Sequence, residues 1–133
     1  MLTINHTLVG ASVGKIIGNP VLAFTAGVFL HYIFDKIPHY WPDNNSYKAI
    51  IIVIDTLVVI LIIGFLVFSN ASQGMIWGAL GGAIVDGLLV LAKPFRESKI
   101  GKWHSKRQIH KNSPYYLLID ALIIILNVGY LLK

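Results

Sequence analysis

The chain has 133 residues, 56% of them hydrophobic and only 13% charged, about half the ~25% charge of an ordinary soluble domain. That length suits one domain covering residues 1–133, and the lack of cysteine excludes disulfides, thiolate metal sites and a cysteine nucleophile. The net charge of +5 does not point to nucleic acid, because seven of the eleven basic residues lie between Lys93 and Lys111, beside apolar runs, where such clusters set topology or meet anionic lipid headgroups.

Several apolar runs approach or reach the ~20 residues that cross a bilayer. The expected fold is an all-α, polytopic transmembrane bundle of four to five helices. Residues 3–18 read as a first, short helix, with Gly10, Gly14 and Gly18 on one stripe that His6 continues. Gly18-Asn19-Pro20 is a turn signal. The second helix covers residues 20–37, and Pro38 is expected to end it. Ala23, Gly27, His31, Asp35 and His39 recur there every four residues, so on a helix they lie close to one face. Residues 38–47 form a polar, aromatic loop in which Tyr40, Trp41 and Tyr47 suit the membrane interface. Residues 48–68 are a clear span, interrupted by Asp55 and Thr56, and 69–72 a short connection. Residues 73–92 form the next span, with Gly74, Gly78, Gly82 and Asp86 on one stripe. Residues 93–114 read as a basic loop containing His104 and His110. Residues 115–132 are the last span, with Asp120 near its start and Asn127 inside.

The positive-inside rule puts the basic loop in the cytoplasm of a bacterial-type inner membrane. Counting spans back from it brings all five histidines and Asp35, Asp55, Asp86 and Asp120 toward that one leaflet. Small residues at four-residue spacing mark the faces where membrane helices touch. They lead to His6, to His31 and Asp35, and to Asp86, so these side chains are expected to point into the bundle. The same stripes make a homo-oligomer a candidate assembly.

Ionisable groups inside apolar spans are costly and are functional candidates by default. Neutral imidazoles and carboxylates are a donor set for a divalent metal, zinc first among them. A bound metal lowers the pKa of its water to ~7, and a spare carboxylate serves as general base. Asp35, Asp86 and Asp55 are the candidate catalytic carboxylates; Asp55 and Asp120 are alternatively groups that orient a histidine. Lys106 and Arg107 are candidates to steady an anionic headgroup. These parts describe a metal-dependent hydrolase of a membrane lipid, with a phospholipid ester as the natural substrate. His104 and His110 stand six apart, which is not one face of a regular helix, so both reach the site only if the basic loop folds back over it.

An N-terminal His, a glycine-bearing helix leading to H-x3-D-x2-P-H, a glycine-rich span ending in Asp, and HSKRQIH follow in that order. This order resembles small bacterial membrane-bound metal-dependent hydrolases, related to the LexA-regulated inner-membrane hydrolase family and remotely to zinc-dependent phospholipase C. The resemblance implies His6, His31, Asp35, Asp86 and His110 as metal ligands, with His39 and His104 as further candidates. DKIPH and HSKRQIH stand here where that family carries D-x-D-H and HRG-x-THS blocks. Two other classes compete: a proton- or ion-coupled transporter using the Asp/His set as a relay, and a structural membrane protein held together by its glycine stripes.

Overall fold

The computed structural model, which describes residues 1–133, turns the apolar runs into helices α1 (Thr3–Ile17), α2 (Pro20–Phe34), α3 (Asn45–Phe68), α4 (Gln73–Leu91) and α7 (Tyr115–Leu131). Two shorter helices, α5 (Lys93–Glu97) and α6 (Lys99–Arg107), occupy most of the stretch expected to be a basic loop. Strands β1 (His39–Tyr40) and β2 (His110–Lys111) pair in parallel, His39 opposite His110. The all-α class therefore holds, apart from this two-residue ladder.

Local chemistry accounts for most of the helix starts. The Asn19 side chain accepts the Leu22 N–H at 3.1 Å and Pro20 fills the first turn of α2, where a missing donor costs nothing. Asn44, Ser72 and Ser98 cap α3, α4 and α6 in the same way. α1 ends at Gly18, whose φ of +70° is a conformation open to glycine. α2 stops at Phe34 and not at 37. The proline ring clashes with the carbonyl four residues back, and for Pro38 that residue is Phe34.

Of the four to five expected spans, length singles out two. Only α3 and α4 are long and apolar enough to cross a membrane. α1 and α2 have 15 residues each and α7 has 17, roughly 22–26 Å, short of the ~30 Å hydrocarbon core.

α1 lies in the middle. It packs against α4 along a seam of glycines that run in opposite directions. A Cβ at Gly10 would overlap the Gly78 carbonyl, one at Gly14 the Gly74 carbonyl, and one at Gly82 the His6 carbonyl. α2 joins the seam where a Cβ on Gly27 would meet the Gly78 carbonyl. The glycine stripes are thus used within the chain. α7 runs alongside α1, with Lys15 Nζ on the Tyr130 and Leu131 carbonyls at 3.3 and 3.4 Å and Asn5 bonded to Asp120 at the other end. α3 touches the bundle through its second half, where Leu66 packs with Ala11 and Ala79. Val59 and Leu66 are its only buried residues.

The interior is polar. The largest fully buried side chains are His6, His31, His39, His104, Asn5, Thr7 and Asp35. The large apolar side chains face outward instead, among them Phe29, Leu61, Phe65, Leu118 and Ile125, each at least 65% exposed.

Candidate metal centre

Glycine contact between α1, α2 and α4 brings their backbones close at one end of the bundle. There the polar stripes of the three helices meet, and α6 closes over them. Asp35 sits at the convergence. Its Oδ1 lies 3.1 Å from His6 Nε2, and its Oδ2 lies 3.4 Å from His31 Nε2 and 3.3 Å from His104 Nδ1. Asp86 faces it from α4, with Oδ1 at 3.7 Å from His31 Nε2 and 3.5 Å from His104 Nε2. The other Asp86 oxygen accepts from the Thr3 hydroxyl at 3.1 Å. The imidazoles of His6, His31 and His104 stand in a row, ring centroids 4.0 and 5.1 Å apart.

The protonation of His31 can be read from its partners. Its Nδ1 lies 2.9 Å from the Gly82 carbonyl, which can only accept, so Nδ1 carries a hydrogen. In the neutral ring Nε2 is then a lone pair, and it points at two carboxylates. Such a contact is repulsive unless a positive charge stands between them, either a proton or a cation. The 3.4 and 3.7 Å separations do not form a hydrogen bond. His31 Nε2, Asp35 Oδ2 and His104 Nδ1 are all buried without a hydrogen-bond partner. Unpaired buried polar atoms are expensive, and three of them aimed at a common space form a donor set suited to a cation. Two groups, His6-His31-Asp35 and His31-Asp86-His104, each have ligand atoms within 4.8 Å of one another and share His31. A ring N–H fixed on a backbone carbonyl is also the usual way a metal-bound histidine is oriented. The residues present fit a divalent metal.

The remaining candidates lie elsewhere. His39 is buried beside the cluster, but its Nε2 meets the Met1 amino group at 2.9 Å and its Nδ1 the Ile37 carbonyl at 3.3 Å. Burial holds its imidazole down at about 4, and that amino group adds to the effect. His110 is exposed, stacked on Trp41 and 4.9 Å from the His39 ring. The two histidines of the basic segment therefore divide: His104 joins the cluster from α6, while His110 sits outside on β2. Asp55 accepts the Thr3 and Ile4 N–H groups at 2.8 and 3.0 Å, capping α1 from a neighbouring helix. Asp120 accepts from Asn5 at 2.5 Å. Lys106 is exposed, and the Arg107 guanidinium lies 4.3 Å from the Trp103 ring centroid.

Thr3, Asn5 and Gln108 have no place in the sequence reading. Gln108 bridges His104 and His110 at 3.1 and 3.0 Å. Asn5 carries a signal: it adjoins His6 on a glycine-striped helix. Thr3 and Gln108 carry none.

Because α1 has no cap of its own, replacing Asp55 with alanine is expected to cost about 1–2 kcal/mol of stability, read as a lowered Tm in detergent. An unchanged Tm would remove the capping role.

Comparison of the chain with family models, with curated proteins and with solved structures gave no match.

Proposed function

We propose that this chain is a membrane-embedded, metal-dependent hydrolase, phosphoesterase-like, acting on a lipid-like substrate at the cytoplasmic leaflet of a bacterial-type inner membrane. The observation that carries the reading is the His31 ring, its Nδ1 on the Gly82 carbonyl and its buried, unbonded Nε2 aimed at Asp35 and Asp86. His31, Asp35, Asp86 and His104 would hold the metal, with His6 on the far oxygen of Asp35. When bound, a divalent metal, zinc by donor type, supplies a Lewis acid and a water of lowered pKa. The chain's own residues supply order. Gly82 holds the His31 ring in one tautomer. Thr3 holds Oδ2 of Asp86 and so turns Oδ1 toward the cluster. The buried setting keeps charge interactions strong.

A polar interior with apolar side chains turned outward supports a bilayer setting. A soluble monomer rarely exposes an apolar patch beyond a few hundred Å². In this reading α1, α2 and α7 lie in the membrane with α3 and α4, four to five passes in all, despite their length. The basic α5–α6 segment lies at the cytoplasmic surface.

The test is elemental analysis of protein purified in detergent without chelator. Stoichiometric metal is expected, lost in the His31→Ala/Asp35→Ala double variant, with Tm falling on chelation of the wild type and returning when zinc is added back. Wild-type protein free of metal and indifferent to added zinc would sink the proposal. Hydrolysis of phospholipid vesicles by loaded but not stripped protein is the expected activity.

A further inference from the structure

We propose that the crevice between the first half of α3 and the last turns of α4 receives an acyl chain of a membrane phospholipid, whose phosphate is met by Arg96. This deepens the hydrolase reading and rests on it for any reaction of the bound lipid.

The crevice has a physical origin. The second half of α3 is pinned to the bundle, whereas nothing before Val59 in that helix is buried. The hydrogen bonds of Asp55 tie this half to α1. The gap left beside α4 is a cavity of about 580 Å³, within the ~300–1,000 Å³ of small-molecule sites. Its lining joins two kinds of chemistry: Ile52 and Val53 of α3 and Leu89 and Val90 of α4 are apolar, while Asp86 and Arg96 are charged. Val53 and Val90 are 58% and 40% exposed, so the apolar part faces sideways, toward the space lipid would occupy. A chain reaches it without leaving an apolar phase, and its headgroup arrives beside Asp86.

Charge selects the occupant. The α5–α6 segment carries six basic residues and one acidic residue, Glu97. Glu97 pairs with Lys93 at 3.9 Å, which leaves Arg96 free. Arg96 is also the basic residue of this segment that lines the cavity. A guanidinium suits a phosphate through paired N–H donors. A slot lined by apolar side chains and a free arginine, beside the Asp86 carboxylate, fits a phosphate-bearing amphiphile better than a neutral one.

The experiment uses the full chain in nanodiscs of phosphatidylglycerol, a fraction of it bearing a diazirine on one acyl chain, with crosslinks mapped by mass spectrometry. Labelling is expected to concentrate on Ile52, Val53, Leu89 and Val90 and to disappear in Val53→Trp, which fills the crevice. Arg96→Gln is expected to lower it about fivefold, and Lys93→Gln, the same charge change one turn away, to leave it unaltered. Diacylglycerol with the same diazirine is expected to label weakly, and excess inorganic phosphate not to compete. Labelling spread evenly over lipid-facing α2, α3 and α7, or indifferent to Arg96→Gln, overturns the inference. So does equal labelling by diacylglycerol or displacement by free phosphate. Metal content separates the two proposals. Crevice labelling of a protein that binds no metal leaves the lipid site standing without the hydrolase, and metal-loaded protein without crevice labelling does the reverse.

Discussion

Replacing Asp35 with asparagine is expected to lower metal affinity about 100-fold or more, roughly 2.7 kcal/mol, while leaving the metal-free protein as stable as before. The two effects separate because of what surrounds this side chain. In the metal-free wild type, Asp35 Oδ2 is buried 3.4 Å from the His31 lone pair with no hydrogen bond. An amide nitrogen placed there donates to that lone pair, and the remaining oxygen still accepts from His6 and from the Met1 amino group, 3.1 and 3.3 Å away. The opposing account makes these contacts ion pairs with protonated histidines that hold the helices together. Removing one partner of a buried pair costs about 3–5 kcal/mol, so that account expects a large drop in Tm without metal. Isothermal titration with zinc and thermal unfolding of stripped protein give the two numbers. A destabilised metal-free variant would favour the ion pairs. His104→Ala is expected to resemble Asp35→Asn in losing affinity, and His110→Ala to remain near wild type.

Gly78→Ala, a single added methyl group, is expected to destabilise the protein by about 3 kcal/mol. The new Cβ would overlap the Gly10 backbone carbonyl, which belongs to a buried helix and cannot rotate aside. α1 and α4 would have to separate, and α2 with them, because Gly27 packs on the carbonyl of Gly78. The matched control is Gly64→Ala on α3, where a Cβ meets nothing within 4 Å. There the better helix propensity of alanine is expected to add about 0.5–1 kcal/mol. Opposite signs from one chemical change, read as Tm in detergent, would establish the seam; equal effects would refute it.

Asp35 and Gly78 both belong to the part of the molecule that is legible in the sequence. Four-residue spacing of Gly10, Gly14, Gly74, Gly78 and Gly82 identifies both sides of the seam, because helix periodicity is a local property. It also leads to His6, His31, Asp35 and Asp86, which do meet. Whatever depends on distant chain segments is not legible. The stretch 93–114 looks like a loop by charge, yet Ser98 accepting the Gly101 N–H starts α6, and that helix delivers His104 while the ladder with β1 holds His110 outside. The six-residue separation of these histidines breaks a shared helix face, but it does not say which of the two goes in. Asp55 looks catalytic because it is ionisable in an apolar span. Its partners are backbone N–H groups of another helix, about which side-chain pattern is silent. The expected end of α2 falls three residues late because a proline acts one turn upstream of its own position.

The burial of α1 against α4 also sets an order of biogenesis. Asn5, His6 and Thr7 are fully enclosed, and the surface that encloses them includes Gly82, some seventy-five residues later in synthesis. While α2 and α3 emerge from the ribosome, the first helix has no finished groove to occupy, and its polar face is unfit for lipid. If the bundle sits in a bilayer as proposed, α1 waits at the membrane surface or in the insertion machinery until α4 arrives. α1 precedes α4 in the chain, yet it takes its place only when α4 does.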